Sequence, residues 1–173
     1  MSSSDPENNP VEDLGGPYHD FWLLSAAEYP PKKGVYQPFL GRRDAPARVA
    51  HDLLCHELGS LRTVPCRNPA MGTEPASVGL LLYGPSVIFE DGAAELEAIL
   101  EAAIDRLSSL SGIVIREWGT WTLSDEHGQP MTEPEPYLAR FEVEGVIGLL
   151  SRLAGMARQV RGDPSLYILH IGI

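Results

Sequence analysis

The sequence predicts an α+β fold: a ferredoxin-like βαββαβ antiparallel sheet over residues 76–173, with a strand and a helix added on its N-terminal side. Three observations lead there. In the C-terminal part of the chain the hydrophobic period changes in the order strand, helix, strand, strand, helix, strand, which is the split β-α-β arrangement. Two segments, 91–110 and 146–160, carry apolar side chains at helical spacing, and their neighbours alternate with period two. The chain has 173 residues, 43% hydrophobic and 21% charged, which is enough for one core and ordinary for a globular domain. Such a fold hosts unrelated activities, so architecture alone leaves function open.

Residues 1–16 hold Ser, Asp, Asn, Glu and Pro with almost nothing apolar, and read as a disordered acidic tail. Residues 17–173 read as one domain, in which 17–75 extends the 76–173 core. Order begins at PYHDFWLLS, where Phe21, Trp22, Leu23 and Leu24 make a short aromatic run that favours a strand. The next stretch is broken by Pro30, Pro31, Gly34, Pro38 and Gly41, so it is a loop with at most a short strand at Val35 and Tyr36. A helix is expected over 44–58. Asp44 can cap it, Pro46 suits its first turn, and Ala47, Ala50, Leu54 and Leu58 share a face. Residues 60–75 hold three prolines and a glycine and read as a connection.

The core opens with SVGLLLYG, an apolar run expected of a central strand. The helix over 91–110 has the clearest stripe: Leu96, Ile99, Leu100, Ala103, Ile104, Leu107 and Leu110. Asp91 and Glu95 stand at its positive dipole end. In IVIREWGTWTL, Ile113, Ile115, Trp121 and Leu123 fall on the apolar face; Val114, Arg116, Trp118 and Thr120 fall on the other. Gly119 marks a bulge. In YLARFEVE, Tyr137, Ala139, Phe141 and Val143 alternate with side chains expected in water. Val146, Leu149, Leu150, Leu153, Ala157 and Val160 define the second helix. LYILHIGI closes the chain as a strand. This last strand and the Trp22 strand are expected near sheet edges, which leaves homodimer formation by edge or face pairing open.

The net charge is −11, and residues 76–173 hold 14 acids against 6 bases. Lys32 and Lys33 are the chain's only lysines. Phosphate backbones require basic side chains to displace counterions, so the composition speaks against a nucleic-acid partner and for a basic protein partner. No apolar run reaches the roughly 18 residues of a membrane span, and the first residues lack the basic and apolar regions of a secretory leader, so a cytoplasmic location is expected. Cys55 and Cys66 would then remain thiols.

His51, Cys55 and His56 cluster in HDLLCHELG, and His51 and Cys55 share a helical face. Imidazole and thiolate suit zinc, but HExxH and Cys-x-x-Cys spacings are missing, so these three are weak metal candidates. A nucleophilic Cys55 would need its base and orienter from elsewhere in the fold. Glycine-rich phosphate loops and a GxSxG elbow are also missing, and no cofactor is expected.

The segment 124–136, SDEHGQPMTEPEP, joins two strands that should pair as a hairpin. Such turns usually need only about 2–5 residues. Long polar loops in small domains are either recognition elements or disordered. The sequence therefore points to a non-catalytic acidic protein-binding module, in its most concrete form an inhibitor or immunity-type protein that blocks a basic surface or a toxin active site. Trp118, Asp125, Glu126, His127, Glu133 and Glu135 would carry contact. A small-ligand-binding regulatory domain is the alternative, and a metal- or thiol-dependent enzyme built on His51, Cys55 and His56 comes third.

Overall fold

The aromatic run that opens the domain forms strand β1, Tyr18–Ser25. The computed structural model describes residues 18–28, 47–68, 73–81 and 83–172, with the backbone alone at 60, 73–78, 118, 121 and 137. The expected tail at 1–16, the Val35–Tyr36 strand and the Asp44–Pro46 helix start lie outside the described residues. The remaining elements are β2 (Ala47–Ala50), α1 (His51–Glu57), β3 (Pro65–Asn68), β4 (Thr73–Val78), β5 (Gly84–Ile88), α2 (Glu90–Leu107), β6 (Ile113–Trp121), β7 (Glu135–Glu142), α3 (Val143–Gly162) and β8 (Leu166–Gly172). A 3₁₀ turn, Gly59–Thr63, follows α1. The class is mixed α+β with antiparallel sheets. Among the described residues no helix is long and apolar enough to cross a membrane.

The strand order differs from the ferredoxin-like expectation. Six strands pair in the order β2-β1-β8-β5-β3-β4, and β6 with β7 forms a separate two-stranded ribbon. A ferredoxin-like sheet would seat the central hairpin beside the first core strand. Here β5 pairs with β8 on one side and with β3 on the other, so the N-terminal extension occupies the place reserved for the hairpin. β8 is therefore central and β1 lies between β2 and β8, which corrects the expectation that both lie near edges.

Two local assignments change for tertiary reasons. Residues 47–50 are strand rather than helix. β2 pairs with β1 from Tyr18↔Ala50 to Phe21↔Ala47, and Arg48 closes a two-pronged ion pair on Asp20 directly opposite. Cross-strand pairing outweighs a weak helical preference. The run at 77–84 is not one strand either. Gly79 has φ of +91°, and a Cβ there would collide with the Arg62 carbonyl, so the chain turns between β4 and β5. Leu80 drops into the core and Tyr83 is left exposed.

The stripe of α3 is buried throughout, and that of α2 is buried at four positions, with Ile99 and Ile104 half-buried and Leu110 half-buried just beyond the helix. Leu96, Leu100, Ala103 and Leu107 of α2 meet Val146, Leu149, Leu150, Leu153, Ala157 and Val160 of α3 in one core with Phe21, Ile88 and Ile168 of the sheet. On the opposite sheet face Trp22, Val87, Tyr167, Leu169 and Ile171 form a second buried cluster. Period-two alternation sorts the strands between these faces, and it places His19 with Phe21 and His170 with Ile168 on the helix-bearing side.

Candidate functional site

The ribbon is the first candidate. β6 and β7 pair from Ile113↔Glu142 to Trp121↔Glu135, with an irregularity between Glu117 and Thr120, around Gly119. The alternation places Val114, Arg116, Ala139 and Phe141 on the side toward the domain, and Ala139 and Phe141 are buried. Ile113, Ile115 and Leu138 point outward and are more than half exposed (58%, 63% and 56%). This inverts the expected apolar face of β6. The reason is that the hairpin lies outside the main sheet, so β7 packs its Ala139–Phe141 face inward and its partner must follow. Arg116 ties the ribbon base to α1 through an ion pair with Glu57 at 3.0 Å.

Beyond the strands, the long loop is built as a hairpin. Met131 N–H donates to the Leu123 carbonyl at 2.6 Å, and Thr122 Oγ1 donates to the Thr132 carbonyl at 2.7 Å. The turn itself is held by Asp125. Its Oδ1 accepts from the backbone N–H of His127 at 2.9 Å and of Gln129 at 2.8 Å, and its carbonyl accepts from Gly128. An Asx turn of this kind substitutes a side-chain acceptor for a backbone one. Asp125, Glu126, His127, Glu133 and Glu135, all five, are exposed on this arm; Trp118 lies in β6, with its side chain outside the described set. Leu123 and Met131 add exposed apolar surface at 55% and 68%. Residues 113–142 hold six acids against two arginines.

The second candidate lies where α1 meets the sheet. Cys55 Sγ is 3.4 Å from His51 Nε2, His51 Nδ1 is 2.9 Å from His19 Nε2, and His19 Nδ1 is 2.8 Å from His170 Nε2. The chain thus runs from α1 through β1 to β8. His19 and His170 are fully buried, while His51 and Cys55 are half-buried. Burial pushes His19 down to about 4, with the neighbouring His51 charge adding to it, and burial with His19 beside it holds His170 well below the usual imidazole range. His56 is exposed and takes no place in this chain. Among the described residues no group of three or more His, Cys, Asp or Glu is arranged to hold a metal ion.

The sequence reading placed His51 beside Cys55 and missed His19 and His170. A signal was present: each is a titratable residue within an apolar strand run, on the face that alternation assigns to the core. Polar groups there are usually hydrogen-bonded, so each called for a partner from another element.

No family model, curated protein or solved structure matches this chain.

Proposed function

We propose that the chain is a non-catalytic acidic protein-binding module whose β6–β7 arm covers a basic surface on a protein partner. In its most concrete form it is an inhibitor or immunity-type protein that blocks a toxin active site. One observation carries the reading: a two-stranded ribbon outside the main sheet, with a hydrogen-bonded acidic tip and five large apolar side chains in water. Exposed apolar surface rimmed by polar groups marks interaction sites, and the excess of acids selects a basic partner. The arm also suits the energetics of association. Its tip is pre-organised by Asp125 and by the cross-strand bonds, so less loop entropy is lost on docking.

The test replaces residues 122–132 by a two-residue Asn-Gly turn and compares both chains for capture of basic proteins from the native host at low and moderate salt. The expected result is a specific basic protein, captured only by the full arm, released by salt, and inhibited by the full-length chain in its own assay. Equal capture by a shortened chain with unchanged circular dichroism would overturn the assignment to the arm.

A further inference from the structure

The base of the β6–β7 ribbon carries a face that the domain leaves to water, and its pattern is its own complement. Residues directly opposite on an antiparallel pair share a face. Ile113 with Glu142, Ile115 with Arg140, and Glu117 with Leu138 therefore make three rows on the outer side. All six are exposed, whereas Ala139 and Phe141 on the inner side are buried. Among the described residues neither Arg140 nor Glu142 takes part in an ion pair or a side-chain hydrogen bond. In the first two rows an apolar pair on β6 thus lies beside an opposite-charge pair on β7, and the domain uses neither.

A second copy of the chain fits this pattern. Consider a two-fold axis that crosses the ribbon at right angles to its strands, midway between the first two rows. It lays β6 on β6 and β7 on β7, running in opposite directions. Ile113 of each copy then meets Ile115 of the other, and Arg140 of each meets Glu142 of the other. A two-fold interface requires such self-complementarity, since one patch must serve both sides. The four central positions hold one acid and one base, so the patch is neutral although the chain carries −11. Reversing the strands also sends the two acidic tips to opposite ends, which keeps their like charges apart. A basic partner is less suited to this part of the arm, because Arg140 would face it.

We propose that the outer face of the ribbon base is a homodimer interface, in which a second copy covers Ile113 and Ile115 and pairs Arg140 with Glu142. The acidic tip, with Leu123 and Met131, takes no part and stays free for a partner, so a dimer presents two tips. The face is small. Five residues on each of two strands span roughly 17 Å by 10 Å at ordinary strand spacing, well below the about 800 Å² per partner of a standard interface. Association is therefore weak, with Kd on the order of 100 μM, and the dimer forms only in concentrated solution.

Sedimentation equilibrium of the full chain, over a concentration series that brackets this value, tests the proposal. The expected result is a monomer when dilute and a dimer when concentrated. Arg140→Glu and Glu142→Arg should each weaken association by about tenfold, because two like-charge contacts replace two ion pairs. Mixed in equal amounts, the two variants should associate as the unaltered chain does, since the acids of one then face the bases of the other. Ile115→Ser should weaken association without a change in charge, and it remains decisive if a charge variant does not fold. A chain with residues 122–132 replaced by a two-residue turn should still dimerise, which keeps this test separate from that of the tip. A monomer throughout the series, reversals without effect, or a mixture no tighter than its components would overturn the proposal. So would loss of the dimer in the shortened arm, which would place the contact at the tip.

Discussion

His19 Nδ1 lies 2.8 Å from His170 Nε2 across the β1–β8 pair, with neither residue exposed to water. His19 stands opposite Gly172 and His170 opposite Phe21, so the two rings meet edge to edge on the diagonal of the ladder, nearly parallel (8°) with centroids 5.0 Å apart. The absence of a side chain on Gly172 leaves the space above His19 to its diagonal neighbour.

Burial of these two rings makes stability depend on pH. His19 titrates at about 4 in the folded chain and His170 well below its usual range, while in the unfolded chain both bind protons near 6.5. Between these limits the unfolded state holds more protons. Stability is therefore complete above about pH 6.5 and is lost as pH falls toward about 4, on the order of 1 kcal/mol per pH unit for each histidine. Urea midpoints measured across that interval check the slope. His170→Leu should make it shallower, and an equal slope in both chains would exclude the pair as its source.

The ion pair between Arg48 and Asp20 should be a costly one to break. Both guanidinium contacts are 2.6 Å and the Asp20 carboxylate is fully buried. Truncating Arg48 leaves that charge without its cation, so Arg48→Ala should destabilise the domain by about 3–5 kcal/mol. Chemical denaturation checks it, and a change within the ordinary surface range of about 0.5 kcal/mol would mean that water reaches Asp20.

Gly92 should resist a substitution that usually helps a helix. Alanine in a helix interior is favoured over glycine by about 1 kcal/mol. Here a Cβ would strike the Pro65 carbonyl and come within 2.9 Å of the Ile88 side chain, because the first turn of α2 presses on β3 and β5. Gly92→Ala is expected to destabilise by about 1–3 kcal/mol through overpacking. Thermal unfolding would show the sign, and a raised melting temperature would contradict the close approach.

The outer face of the ribbon should tolerate polarity. Ile115→Thr with Leu138→Thr removes two large apolar groups from water and should leave stability within about 0.5 kcal/mol per site. Ala139→Thr, on the buried side of the same ribbon, should cost more. If the outer pair proved as damaging as Ala139→Thr, the ribbon would be packed on both sides.

Much of the element list was readable in advance, and the misses have a common cause. The stripes of α2 and α3 follow from neighbours three and four residues apart, and β8 and β1 from runs of β-favouring side chains. Residues 47–50 carry a helical period too, but Asp20, nearly thirty positions away, supplies the ion pair and ladder that make them a strand. Ile113 and Ile115 alternate as a buried face would. Their exposure depends on where β7 packs, which no local window contains.

By itself, then, the sequence determined the period of each segment, the acidic balance and the unusual length of the join between β6 and β7. These are properties of composition and of near neighbours. Only the tertiary structure decided which strands pair, which side of the ribbon meets water, and that His51 and Cys55 are joined by His19 and His170. Those relations link residues from about fifteen to about 150 positions apart, and the longest, between His19 and His170, exists only once β1 and β8 lie side by side.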